Sequence, residues 1–358
     1  MLLDAETSTN LHPTLRKGLG VFQRVGWAAE LKRGKMPSVS VIIPTHGRPR
    51  LLPRAVESAR RGGEDVEVIV VDDASTDETA AVCRGLQGVR YVRLDRNQGV
   101  AGARSVGLLA STADYVAFLD DDDLRLPGSL DRQRVALEAR PAAGFVCGPV
   151  LLAGRDGSLT GETATPPACP GEEIFWRLLE WDFFILPVAT LVRKSALFSV
   201  GLPRSYLSRL DDWDLWVRLA ELHEVATVDR PVGVYTLPPL ISDEGVSHYA
   251  PDFLRAARHQ RRLFSLPRVR QAPAGRRRAL RRRTLNRLAD VLFHQSATHL
   301  SRGDFRFAFQ NILAGFQLSP ARVVRPYIYA ELWRRLRARG AEAGCEVPPT
   351  ALCDNSYD

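Results

Sequence analysis

Four consecutive aspartates, Asp120, Asp121, Asp122 and Asp123, follow the apolar run Tyr-Val-Ala-Phe-Leu at 115–119. The run has the composition of a buried strand, so it delivers a block of negative charge to the end of a sheet. Carboxylates this close repel one another, and desolvation adds to the cost. A hard divalent cation, Mg2+ or Mn2+, held by carboxylate oxygens and the phosphates of a ligand would remove it. A solvated acidic loop leading into a helix near Pro127 and Gly128 is the simpler alternative. Two further acidic clusters stand out. Asp72 and Asp73 follow the apolar run 66–71, and Asp211, Asp212 and Asp214 surround Trp213 just ahead of Leu215, Trp216 and Leu219.

The elements that must position these groups alternate along the chain. Residues 39–43 form a β-branched strand ending at Pro44, and 51–60 a helix with Leu52, Ala55, Val56 and Ala59 on one side. A second strand covers 66–71. Ser75 and Glu78 have capping-box spacing, which predicts a helix from about Thr76. A strand at 89–94, a helix at 100–110 and a strand at 115–119 complete the set. Strands alternating with helices at this spacing imply a parallel sheet covered on both faces, and continuous apolar runs fit strands buried on both sides. Ligands bind such sheets at the carboxyl ends of the strands. Those ends carry Pro44-Thr45-His46-Gly47-Arg48, Asp72-Asp73 and the four aspartates. Further on, a strand is expected within 144–152, a loop at 154–171, a helix at 172–181, a strand at 188–193 and a helix at 214–221. From about Phe253 the pattern is helical, interrupted near 272–275.

No GxGxxG or GxxxxGK[ST] fingerprint follows the first strand, which disfavours dinucleotide dehydrogenases and P-loop NTPases. Four blocks instead resemble family 2 glycosyltransferases of the GT-A fold: Val41-Ile-Ile-Pro-Thr-His-Gly-Arg48, Val70-Val-Asp-Asp-Ala-Ser-Thr-Asp77, Asn97-Gln-Gly-Val-Ala-Gly-Ala-Arg104 and Phe118-Leu-Asp-Asp-Asp-Asp123. Asp211-Asp-Trp-Asp-Leu-Trp216 is similar to that family's later Glu-Asp-x-x-Leu block, with Asp211 in place of Glu. The resemblance spans roughly 38–240 and implies a GT-A (Rossmann-like nucleotide-diphospho-sugar transferase) α/β fold. Its central sheet would be mostly parallel and flanked by helices, with a C-terminal helical appendage outside the match. The implied layout is a leader at 1–36, a catalytic domain at 37–250, a basic helical region at 251–340 and a disordered tail at 341–358.

The resemblance also implies roles. Pro44, Thr45 and Arg48 would border the nucleotide of a sugar donor, and Asp72 or Asp73 would accept a hydrogen bond from its base. Arg104 would pair with the diphosphate or hold the acidic loops together. The family's DxD pattern maps onto Asp120-Asp121-Asp122. Asp122 is then the expected metal ligand, with Asp120 and Asp121 supporting the ribose or the metal's water shell and Asp120 a second candidate ligand. The register is open by one residue, and Asp123 is expected to cap the next helix. Asp212 would be the base that deprotonates the acceptor hydroxyl, a role exchangeable with Asp211, while Asp214 caps its helix. Trp213 and Trp216 are candidates for an acceptor platform, Trp216 having the spacing of a core residue. His248 would be a third metal ligand or simply an exposed loop residue. The implied cofactor is Mn2+ or Mg2+, and the implied partners are a nucleotide-sugar donor, UDP-linked, and a glycan or lipid-linked acceptor.

The bulk numbers agree with an ordinary globular enzyme: 358 residues, 45% hydrophobic, 25% charged. No stretch approaches the roughly 20 apolar residues of a membrane span, and 1–36 lacks a signal-peptide layout. The five cysteines show no paired spacing and are expected to be inert thiols. The net charge of +8 is unevenly spread, because 254–340 holds 21 arginines and no lysine against Asp290, Asp304 and Glu331. That region would either dock on an anionic membrane or pack on the catalytic domain with arginines facing water. No nucleic-acid module accompanies it, so nucleic acid is not an expected partner. The expected location is the cytoplasm, at the inner membrane face if the basic region docks there. Two rival readings are a catalytically inactive nucleotide-sugar-binding scaffold and a nucleotidyltransferase. The latter would need a Gly-rich basic loop that Pro44 to Arg48 does not supply.

Overall fold

The computed structural model describes residues 38–167, 171–207, 210–237 and 249–322, apart from the side chains of 249, 301 and 302. The expectations for His248, the leader and the tail beyond 322 therefore lie outside the described residues. Strands β1 (Val39–Thr45), β2 (Val66–Asp72), β3 (Val89–Arg93) and β4 (Tyr115–Phe118) alternate with helices α1 (Leu52–Arg61), α2 (Thr79–Gly85) and α3 (Gly99–Ala110). After them come β5 (Leu124–Arg125), α4 (Ser129–Glu138), β6 (Ala143–Cys147), β7 (Val150–Ala153), β8 (Leu159–Ala164) and α5 (Gly171–Leu179). Next are β9 (Thr190–Arg193), α6 (Lys194–Val200), α7 (Asp211–Leu222), β10 (Glu224–Thr227) and β11 (Gly233–Thr236). Helices α8 (Tyr249–Leu263), α9 (Pro267–Gln271), α10 (Ala274–Arg302) and α11 (Phe305–Leu318) complete the described chain.

The main sheet has seven strands in the order β10-β6-β9-β4-β1-β2-β3, all parallel to their neighbours except β9, which runs antiparallel to β4 and β6. Pairing of Thr45 with Asp72, and of Val39 to Ile42 with Tyr115 to Phe118, brings the carboxyl ends of β1, β2 and β4 to one edge. Alternation along β1 explains the two-faced core: Ile42 joins Ile69, Val71 and Phe118 on one side, and Val41 and Ile43 join Leu52, Val68 and Leu119 on the other. Gly107 is required because a Cβ there would overlap Ile42, so α3 lies tight against the sheet.

Several elements differ from the sequence expectation. The segment 144–152 is two strands in different sheets, broken at Gly148-Pro149. The loop 154–171 contains β8, which pairs antiparallel with β7 in a second sheet ordered β5-β11-β7-β8. Helix α2 starts at Thr79, not Thr76, because Asp77 accepts hydrogen bonds from the Thr79 N–H and hydroxyl. Helix α7 begins at Asp211, placing all three of its aspartates in the first turn, where the helix dipole favours them.

The basic helices pack on the catalytic sheet through a core that continues without a break, drawing on Phe253, Leu263, Val269, Leu280, Leu288 and Leu292. Polar clamps reinforce the seam. His259 Nε2 lies 2.6 Å from Asp214 Oδ1, Arg287 Nη2 lies 2.6 Å from Asp182 Oδ1, and the Arg276 guanidinium stacks 4.1 Å above the Trp176 ring. Asp214 is therefore not a helix cap. It is fully buried and also accepts from Arg204 and Arg218. Burial alone would raise its pKa, yet the His259 hydrogen bond and the two guanidinium charges hold it below the usual carboxylate range. Among the described residues no helix is long and apolar enough to cross a membrane.

Candidate active site

The end of β1 is where the sheet opens. Thr45 is buried and His46, Gly47 and Arg48 are exposed. Pro44 and Thr45 are thus inside the sheet, and the Thr45 hydroxyl is spent on Asp121 Oδ2 at 2.7 Å. Arg48 reaches over this edge, its Nη1 lying 3.0 Å from both Asp121 Oδ1 and Asp122 Oδ2. Its side chain stays 52% exposed, so it can also meet a ligand.

The Asp72–Asp73 pair does not face solvent. Asp72 has no exposed surface; its carboxylate accepts from the Ser75 N–H and the Tyr91 hydroxyl, each at 2.8 Å. Asp73 is 4% exposed and its Oδ1 accepts from the Gln98 N–H, tying β2 to the start of α3. Both carboxylates brace the end of β2. They hold a turn that puts Ala74 at φ +60°, a backbone conformation a non-glycine residue adopts only when its surroundings enforce it.

The aspartate run divides by depth. Asp121 and Asp123 are buried, while Asp120 and Asp122 keep 32% and 36% of their side-chain surface. Asp121 is consumed by Thr45 and Arg48, so it positions the loop and is not free for a ribose. Burial, opposed by Arg48, pushes its carboxyl up to about 6. Asp123 does not cap α4. Its Oδ1 accepts from the Thr236 N–H at 2.8 Å, while the Thr236 hydroxyl donates to the Asp122 carbonyl, so the acidic loop is stitched to the end of β11. The second Asp123 oxygen is buried without a hydrogen-bond donor. Burial and the neighbouring Asp120 charge raise the pKa of both Asp122 and Asp123.

Arg104 joins this cluster to the next. It is buried in α3, with Nη2 2.6 Å from Asp120 Oδ1 and Nη1 3.0 Å from Asp211 Oδ2, and its plane rests over Phe118. Of its two expected roles, the structure gives it that of holding the acidic loops. Asp211 is thereby neutralised and buried. Asp212 is half-buried and forms no ion pair among the described residues, although the Arg104 charge acts on it; its Oδ1 accepts from the adjacent Trp213 N–H. Burial first, and the Asp211 charge second, push the Asp212 carboxyl up to about 7. Trp213 and Trp216 are core, their indole N–H groups donating to the carbonyls of Leu178 and Ile185, so neither offers a platform.

Tyr235, near the end of β11, is a site residue that sequence reasoning missed. Burial and the surrounding charges of Asp123, Asp120, Asp122 and Asp212 all raise its hydroxyl pKa, which places the phenol between the two acidic clusters. No local pattern marks it; only the pairing of β11 with β5 and β7 brings it there.

A divalent cation fits this donor set. Asp120 and Asp122 offer hard oxygen donors at the mouth, each paired with one guanidinium, and the Asp120 charge together with burial still raises the Asp122 pKa. Among the described residues no group of three or more His, Cys, Asp or Glu forms a complete cage. Phosphate oxygens and water would have to fill the remaining positions, as is usual for Mg2+.

Comparison with known proteins meets this geometry. Residues 40–199 match the family described as "Glycosyl transferase family 2". The succinoglycan biosynthesis protein ExoO of Rhizobium meliloti (strain 1021) is 40% identical over 113 residues, 31% of this chain and 32% of that protein. The GalNAc(5)-diNAcBac-PP-undecaprenol beta-1,3-glucosyltransferase of Campylobacter jejuni subsp. jejuni serotype O:2 is 37% identical over 134 residues, 36% of this chain and 42% of that protein. The chain thus spans about a third to two-fifths of the length of these two relatives. Among solved structures, S. aureus TarS 1-349 in complex with UDP-GlcNAc superposes with a TM-score of 0.55 at 16% identity, covering 84% of this chain and 90% of TarS 1-349. Residues 40–199 thus match glycosyl transferase family 2, and the fold is the GT-A fold of TarS 1-349.

Proposed function

We propose that this protein is a metal-dependent, inverting glycosyltransferase that moves a sugar from a UDP-linked donor to a hydroxyl of a glycan or lipid-linked acceptor. The observation that carries the reading is Arg104. One buried guanidinium fixes Asp120 and Asp211, so that the donor-side aspartates and the unpaired carboxylate of Asp212 face one space. A nucleotide-sugar-binding scaffold has no use for a carboxylate held near neutrality beside its ligand. Binding of UDP-GlcNAc by TarS supports the donor class, and the undecaprenol-linked substrate in the name of the Campylobacter relative supports the acceptor class.

In this reading Asp120 and Asp122 would hold Mn2+ or Mg2+, and the bound ion would supply Lewis-acid neutralisation of diphosphate charge. Arg48 borders the same phosphates from the open end of β1. Asp212 takes the proton of the acceptor hydroxyl as that oxygen forms its bond to the anomeric carbon and the bond to the diphosphate oxygen breaks. Such general-base assistance contributes about 10²–10⁴-fold. Tyr235, held protonated among the carboxylates, donates a hydrogen bond to whichever sugar occupies the space between them. Tyr235→Phe is therefore expected to slow transfer by roughly tenfold in kcat/KM without unfolding the protein, a loss the size of one neutral hydrogen bond. Steady-state kinetics against a thermal melt checks this.

The reading is tested by calorimetric titration of UDP with and without Mn2+, repeated on Asp122→Ala. Binding that requires the metal and is lost in the variant is the expected result. Binding of GDP or dTDP in place of UDP would change the donor and leave the mechanism standing. Failure of every nucleotide under every metal condition would favour the scaffold.

A further inference from the structure

Helix α11 leaves a stripe of large apolar side chains uncovered. A surface helix ordinarily buries its large apolar side chains and shows polar ones to water. Here the residues buried against the bundle are Ala308, Asn311, Ala314 and Gly315, and Gly315 fits because a Cβ would strike the Phe293 ring. Phe307 and Leu318 are half-buried toward the bundle, but five other large side chains point outward: Phe305 is 69% exposed, Phe309 66%, Leu313 47%, Phe316 51% and Ile312 37%. Their spacing of i, i+4, i+7, i+8 and i+11 draws one continuous stripe along the helix. The helix carries no carboxylate, and its only charge is Arg306. Single exposed apolar residues need no explanation, but a contiguous stripe of three phenylalanines and two aliphatics marks an interaction surface.

Charge decides what covers it. Residues 249–322 hold 16 arginines and no lysine against Asp252, Asp290 and Asp304. A second copy meeting this surface about a two-fold axis would bring like charge onto like. The chain beyond 322 is also arginine-rich, with Arg325, Arg334, Arg335, Arg337 and Arg339 against Glu331. An anionic occupant is the complementary one. The same bundle has a cavity of about 170 Å3 lined by Gln260, Arg261, Phe264 and Arg281. Neither arginine forms an ion pair among the described residues. Two guanidinium groups at the lining of one cavity suit an oxyanion such as a phosphate.

We propose that α11 lies in the surface of an anionic membrane, its phenylalanine stripe at the acyl boundary and the arginines of α8 and α10 among the headgroup phosphates. The proposal does not depend on the transferase reading, because lipid binding is measured without donor or acceptor.

The test is flotation of the full chain with vesicles of phosphatidylcholine containing roughly one-third phosphatidylglycerol, compared with phosphatidylcholine alone. Binding at least about tenfold stronger to the anionic vesicles is expected. Phe309→Ser/Phe316→Ser should weaken it by about tenfold or more, with an unchanged melting temperature because both side chains are already in water. Arg261→Gln/Arg281→Gln should reduce the preference for anionic lipid. The proposal is overturned if the wild-type chain does not float, or if the phenylalanine variant floats as well as wild type. It is equally overturned if that variant turns an oligomer into a monomer with vesicle binding intact, which would make a second copy the occupant.

Discussion

Asp212→Asn is expected to reduce kcat by about 10²–10⁴-fold while leaving metal-dependent UDP binding nearly intact. The carboxylate is isosteric with the amide, and the Asn Oδ1 can still accept from the Trp213 N–H that Asp212 now engages. What disappears is the ability to take a proton. A base must be ionised, and burial with the adjacent Asp211 charge has pushed the Asp212 carboxyl up to about 7. In the wild type kcat/KM should therefore fall with unit slope as pH drops below about 7, and the residual activity of the Asn variant should lack that limb. The same displacement predicts an opposite effect on stability. A carboxyl whose pKa is raised by folding contributes its stability below the unfolded value and loses it as pH rises through the folded one. At pH 8 the wild type carries an ionised group that the fold disfavours, and the amide does not. Asp212→Asn should thus melt a few degrees higher at pH 8, and the gap should close as pH falls toward the ordinary carboxylate range. Full transfer by the variant, or a lower melting temperature at pH 8, would remove Asp212 from the base role.

The opposition of activity and stability at Asp212 bears on how much of the site was legible beforehand. The strand–helix alternation of the first half was readable because its strands are buried on both faces and so are apolar throughout. The acidic clusters were readable because charges at the ends of such strands stand out against that background. Which aspartates are structural was not readable. Asp72 and Asp73 sit beside each other at the expected strand end, but their partners Tyr91 and Gln98 come from β3 and the start of α3. Asp121 and Asp123 differ from Asp120 and Asp122 only by which way the loop turns them, which is fixed by Thr45 on one side and Thr236 on the other. The second sheet was invisible for the same reason. Its β5 is two residues long and exists through pairing with β11, more than a hundred positions away. Local pattern reports burial and turn chemistry; it does not report pairing between segments that are remote in sequence. Tyr235 falls in that gap. So does the uncovered stripe of α11, which reads as the buried face of an ordinary amphipathic helix until the packing shows that it faces outward.

Arg104→Met should give the largest loss of stability of any single change in the site, about 3–5 kcal/mol, because it leaves two carboxylates without their shared cation. The geometry makes the case specific. The guanidinium lies 95% out of solvent, and its two terminal nitrogens serve Asp120 and Asp211 separately. Burial by itself would weaken the charge, but these two carboxylates keep Arg104 firmly protonated. Methionine retains the packing over Phe118 and removes only the fork. Lysine should do little better on activity, since one ammonium cannot reproduce two planar hydrogen bonds to groups on different elements. The informative variant is the double change Arg104→Met with Asp211→Asn, which leaves the proposed metal ligand Asp120 in place. Removing the more deeply buried stranded charge should restore much of the lost stability, because buried ionic groups are often replaceable by neutral ones at little cost. Transfer should stay lost, because the link that aligns the donor-side aspartates with Asp212 is gone. Chemical denaturation of the single and double variants, read beside transfer rates, separates the two roles. If the double variant recovers both stability and transfer, Arg104 serves the fold alone; if it recovers stability only, the bridge is what aligns the site.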